Sequence, residues 1–231
     1  MIENCPYKDK CNGKDCQKDF CLRKYKLDFL YNNSLLSDAQ KKHITLLTDA
    51  DGTDYNEFVK LAEIAKNIEE FVSSGKNLYL HSTTSGNGKS SWAIRMIEAY
   101  FYKSWAKVDL SCKALFVSVP RFLLALKNNI SKKDDYAEFI TQNIMTADLV
   151  VWDDIAAKTA TEFELNQLLS IIEGRISLGK SNIFTSNLSK EAMYDALGSR
   201  IASRICNLSI DIELHGRDKR AVKEQEEGGN R

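Results

Sequence analysis

The sequence predicts an α/β fold in which a five-stranded, mainly parallel sheet lies between helices. Five short apolar runs support this prediction, because they are rich in Val, Ile, Leu, Phe and Tyr and are separated by segments with helical spacing. Strands that alternate with crossover helices pair in parallel, and near-continuous apolar strands are typical of a sheet covered on both faces. The runs are "NLYLHS" at 77–82, "ALFVSV" at 114–119, "DLVVWD" at 148–153, "NIFTSN" at 182–187 and "LSIDIEL" at 208–214.

The size and charge of the chain limit the classes of function. A chain of 231 residues has room for one main domain and a small appendage, since domains usually hold roughly 100 to 200 residues. Its 32 basic and 32 acidic residues give a formal net charge of +0, so no overall field draws it onto nucleic acid or an anionic membrane. No apolar run approaches the roughly 20 residues that span a bilayer, and no signal peptide is recognisable. We expect a cytoplasmic protein with no membrane partner.

The first segment of the chain is rich in cysteine. Cys5, Cys11, Cys16 and Cys21 account for four of the six cysteines. In a reducing compartment such a cluster is more often a metal site than a disulfide framework. Four thiolates suffice for a closed tetrahedral Zn²⁺ site, although the C-x5-C-x4-C-x4-C spacing also leaves an iron–sulfur cluster or unliganded thiols open. We predict a small zinc-binding module, with a short helix between residues 22 and 36 packed against it.

A linker separates this segment from the main domain. The stretch "TDADGTDYN" at 48–56 brings Asp, Gly and Asn together, which is typical of a linker. Apolar residues between 58 and 72 then fall on one helical face, and Gly75 ends that predicted helix. The predicted units are the zinc-binding module at 1–50, the main domain at 51–220 and a polar tail at 221–231.

The stretch "SGNGKSS" at 85–91 follows the first predicted strand and begins a helix, which is the context of a phosphate-binding loop. Gly86 and Gly88 let the backbone turn its N–H groups inward, while Lys89 reaches the terminal phosphates. The usual pattern is G-x-x-x-x-G-K-[ST], and Thr83 stands at its first position, so a flexible turn with an incidental lysine is the alternative. The residues predicted to bind nucleotide phosphates are Ser85, Gly86, Asn87, Gly88, Lys89, Ser90 and Ser91.

Polar residues also follow the third and fourth predicted strands. Asp153 is placed to hold Mg²⁺ opposite the hydroxyl of Ser90, and Asp154 to act as the base that orients the attacking water. Asn187 is placed to hydrogen-bond the γ-phosphate or that water. The alternatives are a helix cap or turn for Asp154 and a turn for Asn187. Since the carboxyl ends of parallel strands meet at one edge, these residues predict a single site for ATP and Mg²⁺.

These blocks resemble the AAA+ ATPases, and within them the bacterial helicase loaders of the DnaC/DnaI type and their relatives, the IstB transposition ATPases. The resemblance covers roughly residues 56–220. It rests on "SGNGKSSWA", "ADLVVWDDIA", "IIEGRISLGKSNIFTSNLS" and "ALGSRIASRICNLSIDIELHGRDKR", which fall in the family's order and spacing. Thr83 and Asp154 depart from the family pattern, and both departures bear on the rate of hydrolysis more than on nucleotide binding.

The resemblance assigns roles to arginines near the end of the chain. It implies that the arginines of "LGSRIASRI" project toward the γ-phosphate of a neighbouring subunit, where a guanidinium would stabilise the charge that develops in phosphoryl transfer. Arg204 is the first candidate and Arg200 the second. Without the resemblance, arginines four residues apart on a helix would most often form a solvated face. Arg220 is implied to sense the bound nucleotide.

The resemblance also implies partners. Related Gram-positive loaders carry an N-terminal zinc-binding domain that grips the replicative helicase, and the cysteine cluster fits that position. Loaders hold single-stranded DNA near the segment after the acid pair, where Lys158 and Thr161 could contact phosphate and Phe163 could stack on a base. A surface loop is the alternative for this segment. The implied function is ATP-dependent loading of a hexameric replicative helicase by a protein that associates with copies of itself. A phage origin is compatible with the compact chain.

Three other functions share the phosphate loop. They are an IstB-like transposition ATPase, a small-molecule P-loop kinase, and a nucleotide-binding scaffold without turnover. The cysteine-rich segment argues against the first, and the lack of a recognisable arginine-rich lid argues against the second.

Overall fold

A computed structural model describes residues 18–42, 46, 52–107, 109–129, 133–156 and 160–219. Several predicted functional residues lie outside the described residues, namely Cys5, Cys11, Cys16, Lys158 and Arg220.

Helices and strands alternate through the main domain as the sequence predicts. The helices are α1 (Lys18–Asn32), α2 (Asp38–Lys41), α3 (Tyr55–Lys66), α4 (Ile68–Ser73), α5 (Lys89–Ser104), α6 (Val119–Asn129), α7 (Asp135–Asn143), α8 (Glu162–Ser177) and α9 (Lys190–Asn207). The strands are β1 (Asn77–His81), β2 (Ala114–Ser118), β3 (Leu149–Asp153), β4 (Ser181–Ser186) and β5 (Ser209–Glu213). Each strand lies within one residue of the apolar run that predicts it. Within the described ranges, no helix combines the length and the apolar character needed to cross a membrane.

The five strands form one sheet in the order β2-β3-β4-β1-β5, and its four pairings are parallel. The register places Asp153 opposite Ser118 and His81 opposite Ser186, so the carboxyl ends of these strands meet at one edge. The chain leaves β1 for β2 at the far side of the sheet, and open sheets of this kind bind ligands beyond the carboxyl ends of their strands. The predicted parallel sheet between helices is therefore confirmed.

The two faces of the sheet pack against different helices. Leu78, Leu80 and Val151 lie in a cluster with α1, α3, α4 and α5, whereas Tyr79 and Trp152 lie in a second cluster with α6, α7, α8 and α9. The alternation follows from the two-residue period of a strand. Asp153, two positions beyond Val151, consequently faces α5.

The first described helix belongs to the same core. Tyr31 meets Phe101 of α5 edge to face at 5.2 Å between ring centroids, and Leu30 and Leu36 are buried in the cluster on that face. The carbonyl of Ser34 accepts a hydrogen bond of 2.8 Å from the backbone N–H of Phe116 and so covers part of the edge strand β2. The predicted helix between residues 22 and 36 is present, and its described contacts are with the main domain. The division of the chain near residue 50 stays a prediction.

A buried arginine fixes the opposite edge of the sheet. Arg175 of α8 is fully buried and donates to the carbonyls of Ala147 at 2.9 Å and Ser181 at 2.7 Å, as well as to Asn182 Oδ1 at 2.8 Å and to the carbonyl of Ile144. Burial lowers the pKa of this guanidinium to about 9, against the opposing influence of Asp148. These bonds tie α8 to the beginnings of β3 and β4 and hold the two strands in register.

Candidate nucleotide-binding site

The loop between β1 and α5 is shaped by two glycines. All five residues of β1 are buried, and the chain then turns before α5 begins at Lys89. Gly86 has φ +74° and Gly88 has φ +107°, a region that residues with a side chain rarely adopt. Gly88 is the N-cap of α5 and provides no side-chain cap. The N-terminus of a 16-residue helix, with its positive dipole end, therefore lies at the carboxyl edge of the sheet.

Lys89 is the cation of this loop. It is buried, and its Nζ donates to the carbonyl of Thr84 at 2.8 Å and to Asn87 Oδ1 at 3.0 Å. Asn87 is buried as well, and its Nδ2 donates to Ser82 Oγ at 2.6 Å and to the carbonyl of Leu214 at 3.3 Å. The loop thus holds its lysine by its own acceptors and is tied to the chain beyond β5.

The structure brings Ser90 and Asp153 together. Ser90 Oγ donates to Asp153 Oδ1 at 2.7 Å, and Thr185 Oγ1 donates to the same oxygen at 2.8 Å. Burial raises the pKa of the Asp153 carboxyl, and Asp154 adds to this, while the bonds from Ser90 and Thr185 and the charge of Lys89 act in the opposite direction. A poorly solvated carboxylate beside a hydroxyl gains from a nearby cation, and oxygen ligands of these types are the ones that Mg²⁺ prefers. The donor set fits the predicted magnesium ion.

Thr185 is a site residue that the sequence analysis missed. Besides its bond to Asp153, its Oγ1 accepts from the backbone N–H of Asp154 at 3.0 Å, so one hydroxyl holds both acids of the pair. The register pairs Trp152 with Phe184, which makes Thr185 the neighbour of Asp153 across the two strands. The polar "TSN" at the end of the fourth run was a local sign of a site residue. It points to Thr185 only once the third and fourth strands are known to pair.

Asp154 and Asn187 lie at the same edge but make different contacts. Asp154 has φ +55°, and it lines a small pocket with Val119, Leu123 and Leu168 on the α6 and α8 side of the sheet. Asn187 follows β4 directly and is exposed. The structure therefore places both residues beyond their strands, and their roles toward water or phosphate stay predictions.

Two further serines of the predicted phosphate loop lie on either side of its two glycines. Ser85 is exposed before Gly86, and Ser91 is half-buried in the first turn of α5. Both are placed by the loop and the helix, and their contact with phosphate stays a prediction.

The two candidate arginines lie on the α6 to α9 layer, on the face opposite α5. Arg204 is partly exposed, and its Nε donates to Glu173 Oε1 of α8 at 3.2 Å. Arg200 is exposed and lines a groove of about 250 Å³ between α8 and α9 together with Glu162. The helix bends just before them, where Gly198 has φ +77° and ψ +160°. The structure does not bring either guanidinium to Lys89 within the chain.

Three of the residues predicted to contact DNA or zinc lie within the described ranges, and their predicted roles stay predictions. Thr161 is the N-cap of α8 and forms a capping box with Glu164, which gives its hydroxyl a structural role. Phe163 lies in the first turn of α8 and is 54% exposed. Cys21 is half-buried on α1, and the described part of the chain holds no group of three or more metal-ligating side chains.

Comparisons with known proteins identify the fold. No family model and no curated protein matches the chain. The crystal structure of the DnaC helicase loader matches with a TM-score of 0.59 and 16% identity over 80% of this chain and 98% of that one. DnaI matches with a TM-score of 0.60 and 19% identity over 81% of this chain and 95% of that one. The replication initiator DnaA, bound to AMPPCP and single-stranded DNA, matches with a TM-score of 0.62 and 17% identity over 85% of this chain and 57% of that one.

These similarities extend over at least 80% of this chain and so include the parallel sheet and the loop after β1. The expected resemblance to helicase loaders is confirmed at the level of the fold. The chain has the α/β fold that the structures of DnaC, DnaI and the matching part of DnaA share.

Proposed function

We propose that this chain is an ATP-dependent DNA replication factor that loads a hexameric replicative helicase onto DNA. The observation that carries the proposal is the 2.7 Å bond between Ser90 and Asp153 beside the buried Lys89, at the N-terminus of a helix. The fold supports it further, because the likeness to the DnaC loader extends over 98% of that chain. The protein would act in the cytoplasm.

ATP would bind with its phosphates against the loop from Ser85 to Ser91. The N–H groups of the loop and of the first turn of α5 would donate to phosphate oxygens there. Lys89 would exchange its bonds to the Thr84 carbonyl and to Asn87 Oδ1 for bonds to phosphate oxygens. Ser90 and Asp153 would hold Mg²⁺, which when bound neutralises charge on the phosphates. Thr185 keeps the Asp153 carboxylate facing the Ser90 hydroxyl.

Hydrolysis would need residues from two subunits. Asp154 and Asn187 would orient the attacking water, and Arg204, or Arg200 as the second candidate, would reach the γ-phosphate of a neighbouring copy. The Arg204–Glu173 pair is partly exposed, and such pairs contribute little and exchange readily. ATP then bridges two subunits, and its hydrolysis removes the bridge, so the nucleotide controls assembly and release.

The N-terminal segment of the chain would supply the helicase contact. Cys5, Cys11, Cys16 and Cys21 would bind Zn²⁺ and form the helicase-binding module of residues 1–50, ahead of the ATPase domain at 51–220 and the tail at 221–231. Single-stranded DNA would pass near Lys158, Thr161 and Phe163, and Arg220 would respond to the nucleotide.

The experiment uses the intact chain, since a cut near residue 50 would remove Leu30 and Leu36 from the core. The chain is mixed with each of a panel of purified bacterial hexameric helicases and passed over gel filtration in MgATP or MgADP, and loading onto circular single-stranded DNA is measured. We expect co-elution with a helicase and loading that requires ATP. Indifference to every helicase, together with phosphate transfer to a small molecule, would favour the kinase. Capture of a transposase in place of a helicase would favour the IstB-like reading.

A further inference from the structure

A strap formed by residues 214–219 follows β5 and crosses the phosphate loop. At its start the N–H of Leu214 donates to the carbonyl of His81 at 2.8 Å, and its carbonyl accepts from Asn87 Nδ2 at 3.3 Å. At its end the N–H of Lys219 donates to the carbonyl of Gly86 at 3.1 Å. The strap is therefore bonded to the strand before the loop and to the loop itself.

Asp54 clamps the middle of this strap. Its Oδ1 accepts from the N–H of His215 at 2.7 Å, and its Oδ2 accepts from the N–H of Gly216 at 2.7 Å. Charge-assisted bonds of this length are stronger than neutral ones, and Asp54 is only 6% exposed. Asp54 stands at the N-cap of α3 but makes no side-chain cap bond, and it has φ +66°. Both of its carboxylate oxygens hold the strap in place of capping the helix.

The strap places a carboxylate against the phosphate loop. A Cβ built on Gly86 would lie 1.8 Å from Asp218 Oδ1 and 2.2 Å from its Cγ, so only glycine leaves room for this side chain. Anions are favoured where N–H groups converge at a helix N-terminus, and a carboxylate meets that preference as a phosphate does. In the proposed ATP site, a nucleotide phosphate at Gly86 would compete with Asp218 for this space.

The next residue anchors the end of the strap. Lys219 is buried, with its Nζ 4.8 Å from the centroid of the Phe58 ring. This contact holds the strap against α3 while Asp218 faces the loop. The strap is thus fixed at Asp54 and at Phe58, with the competing carboxylate between these two points.

We propose that the strap is a latch that a nucleotide opens, an inference that rests on the proposed ATP site. When a triphosphate binds, Asp218 leaves Gly86, the bond from the Lys219 N–H to the Gly86 carbonyl breaks, and the Lys219 side chain leaves the Phe58 ring. Asp54 keeps His215 and Gly216 in place, so the clamp serves as the hinge. ATP occupancy is in this way transmitted to the chain beyond residue 219.

The apparent affinity for nucleotide equals the affinity of the open state multiplied by the fraction of molecules in which the latch is open. A latch that is closed in about nine molecules of ten weakens the apparent affinity about tenfold. Removing the charge of Asp218 therefore restores part of the affinity for nucleotide.

The first test measures MgATP binding by titration calorimetry for the wild-type chain, Asp218→Asn and Asp218→Ala. The matched control is Asp195→Asn, an exposed aspartate on α9. We expect both Asp218 variants to bind roughly three- to tenfold more tightly and the control to bind as the wild type does. Equal or weaker binding by the Asp218 variants would overturn the latch and leave the ATP site standing. A wild-type chain that does not bind MgATP would overturn both proposals.

The second test follows amide hydrogen exchange in the wild-type chain and in Asp54→Asn. MgATP is expected to speed exchange of the Lys219 N–H and to leave the N–H groups of His215 and Gly216 protected. Asp54→Asn should speed exchange of those two groups with or without nucleotide. Slower exchange at Lys219 on addition of MgATP would show that the strap closes on the nucleotide, and the latch would be rejected.

Discussion

The carboxyl edge of the sheet and the outer surface of α8 and α9 hold the two sets of proposed functional residues, and they differ in burial. At the sheet edge, Lys89 is buried and Ser90 and Asp153 are bonded to each other within the chain. On the helical surface, Arg204 is partly exposed and has one ion pair with Glu173. The first region is organised by contacts within the chain. The second is held weakly, which suits residues that a neighbouring subunit would recruit.

Replacing Arg204 tests the second region and should have the largest effect. We expect Arg204→Ala to bind MgATP within about twofold of the wild type and to lose roughly a thousandfold in turnover in the assembled protein, because an arginine supplied in trans contributes about that much to phosphoryl transfer. Phosphate release is measured against protein concentration. Glu173→Gln is the control, since it removes the partner's charge and keeps the arginine. Full turnover by assembled Arg204→Ala would transfer the role to Arg200.

Replacing Lys89 tests the first region. Lys89→Ala should weaken MgATP binding by roughly ten- to a hundredfold, because a hydrogen bond to a charged group contributes about 1.5 to 3 kcal/mol. Calorimetry measures the affinity. Lys107→Ala, an exposed lysine paired with Glu69, is the matched control and should bind normally. An unchanged affinity in Lys89→Ala would remove the phosphate loop from the site.

Replacing Thr185 weakens the support of Asp153 at the sheet edge and keeps both proposed Mg²⁺ ligands, so it tests how much the order of that region matters. Thr185→Val keeps the shape of the side chain and removes the donor to Asp153 and the acceptor for the N–H of Asp154. We expect turnover to fall by about tenfold, as is common when the partner of a ligating group is lost, with MgATP affinity within about threefold. Thr141→Val, whose hydroxyl bonds within its own helix, is the control. Equal losses in both variants would argue for general destabilisation.

The smallest expected effect is one on stability, and it follows the replacement of Asp153. Because burial raises the pKa of this carboxyl, the folded chain holds its proton more tightly than the unfolded chain does. The free energy of unfolding therefore falls as pH rises through the raised pKa. Asp153→Asn should be slightly more stable than the wild type at pH 7, and this difference should vanish as the pH falls below the usual carboxyl range.

Urea unfolding at several pH values measures this difference, with Asp195→Asn as the exposed control. A loss of stability in Asp153→Asn at pH 7 would show that the bonds from Ser90 and Thr185 outweigh the desolvation of the charge.

The fold was largely predictable from the sequence. The five strands lie within a residue of their apolar runs, since a buried parallel strand needs a continuous apolar stretch and leaves a local mark. The contact between Ser90 and Asp153 was predictable too. Ser90 lies after β1 and Asp153 is the last residue of β3 in one parallel sheet, and their chemistry suggested a shared ion.

The contacts across the sheet were not predictable in the same way. Thr185 depends on the pairing of β3 with β4, and the sequence analysis had chosen Asn187 from the same strand end. Asp54 was interpreted as part of a linker, yet its carboxylate binds amides 161 and 162 residues further along the chain. No local pattern marks such a partner.

The sequence by itself determined the helices, the strands and the glycine-rich loop, because periodicity, backbone freedom and side-chain type act over a few neighbouring residues. The tertiary structure alone decided the strand order, the packing of α1 on α5, the threonine behind Asp153 and the strap across Gly86. Those features join residues far apart in the chain. Their positions follow from how the whole core closes, and burial of apolar surface, which drives that closure, has no preferred direction.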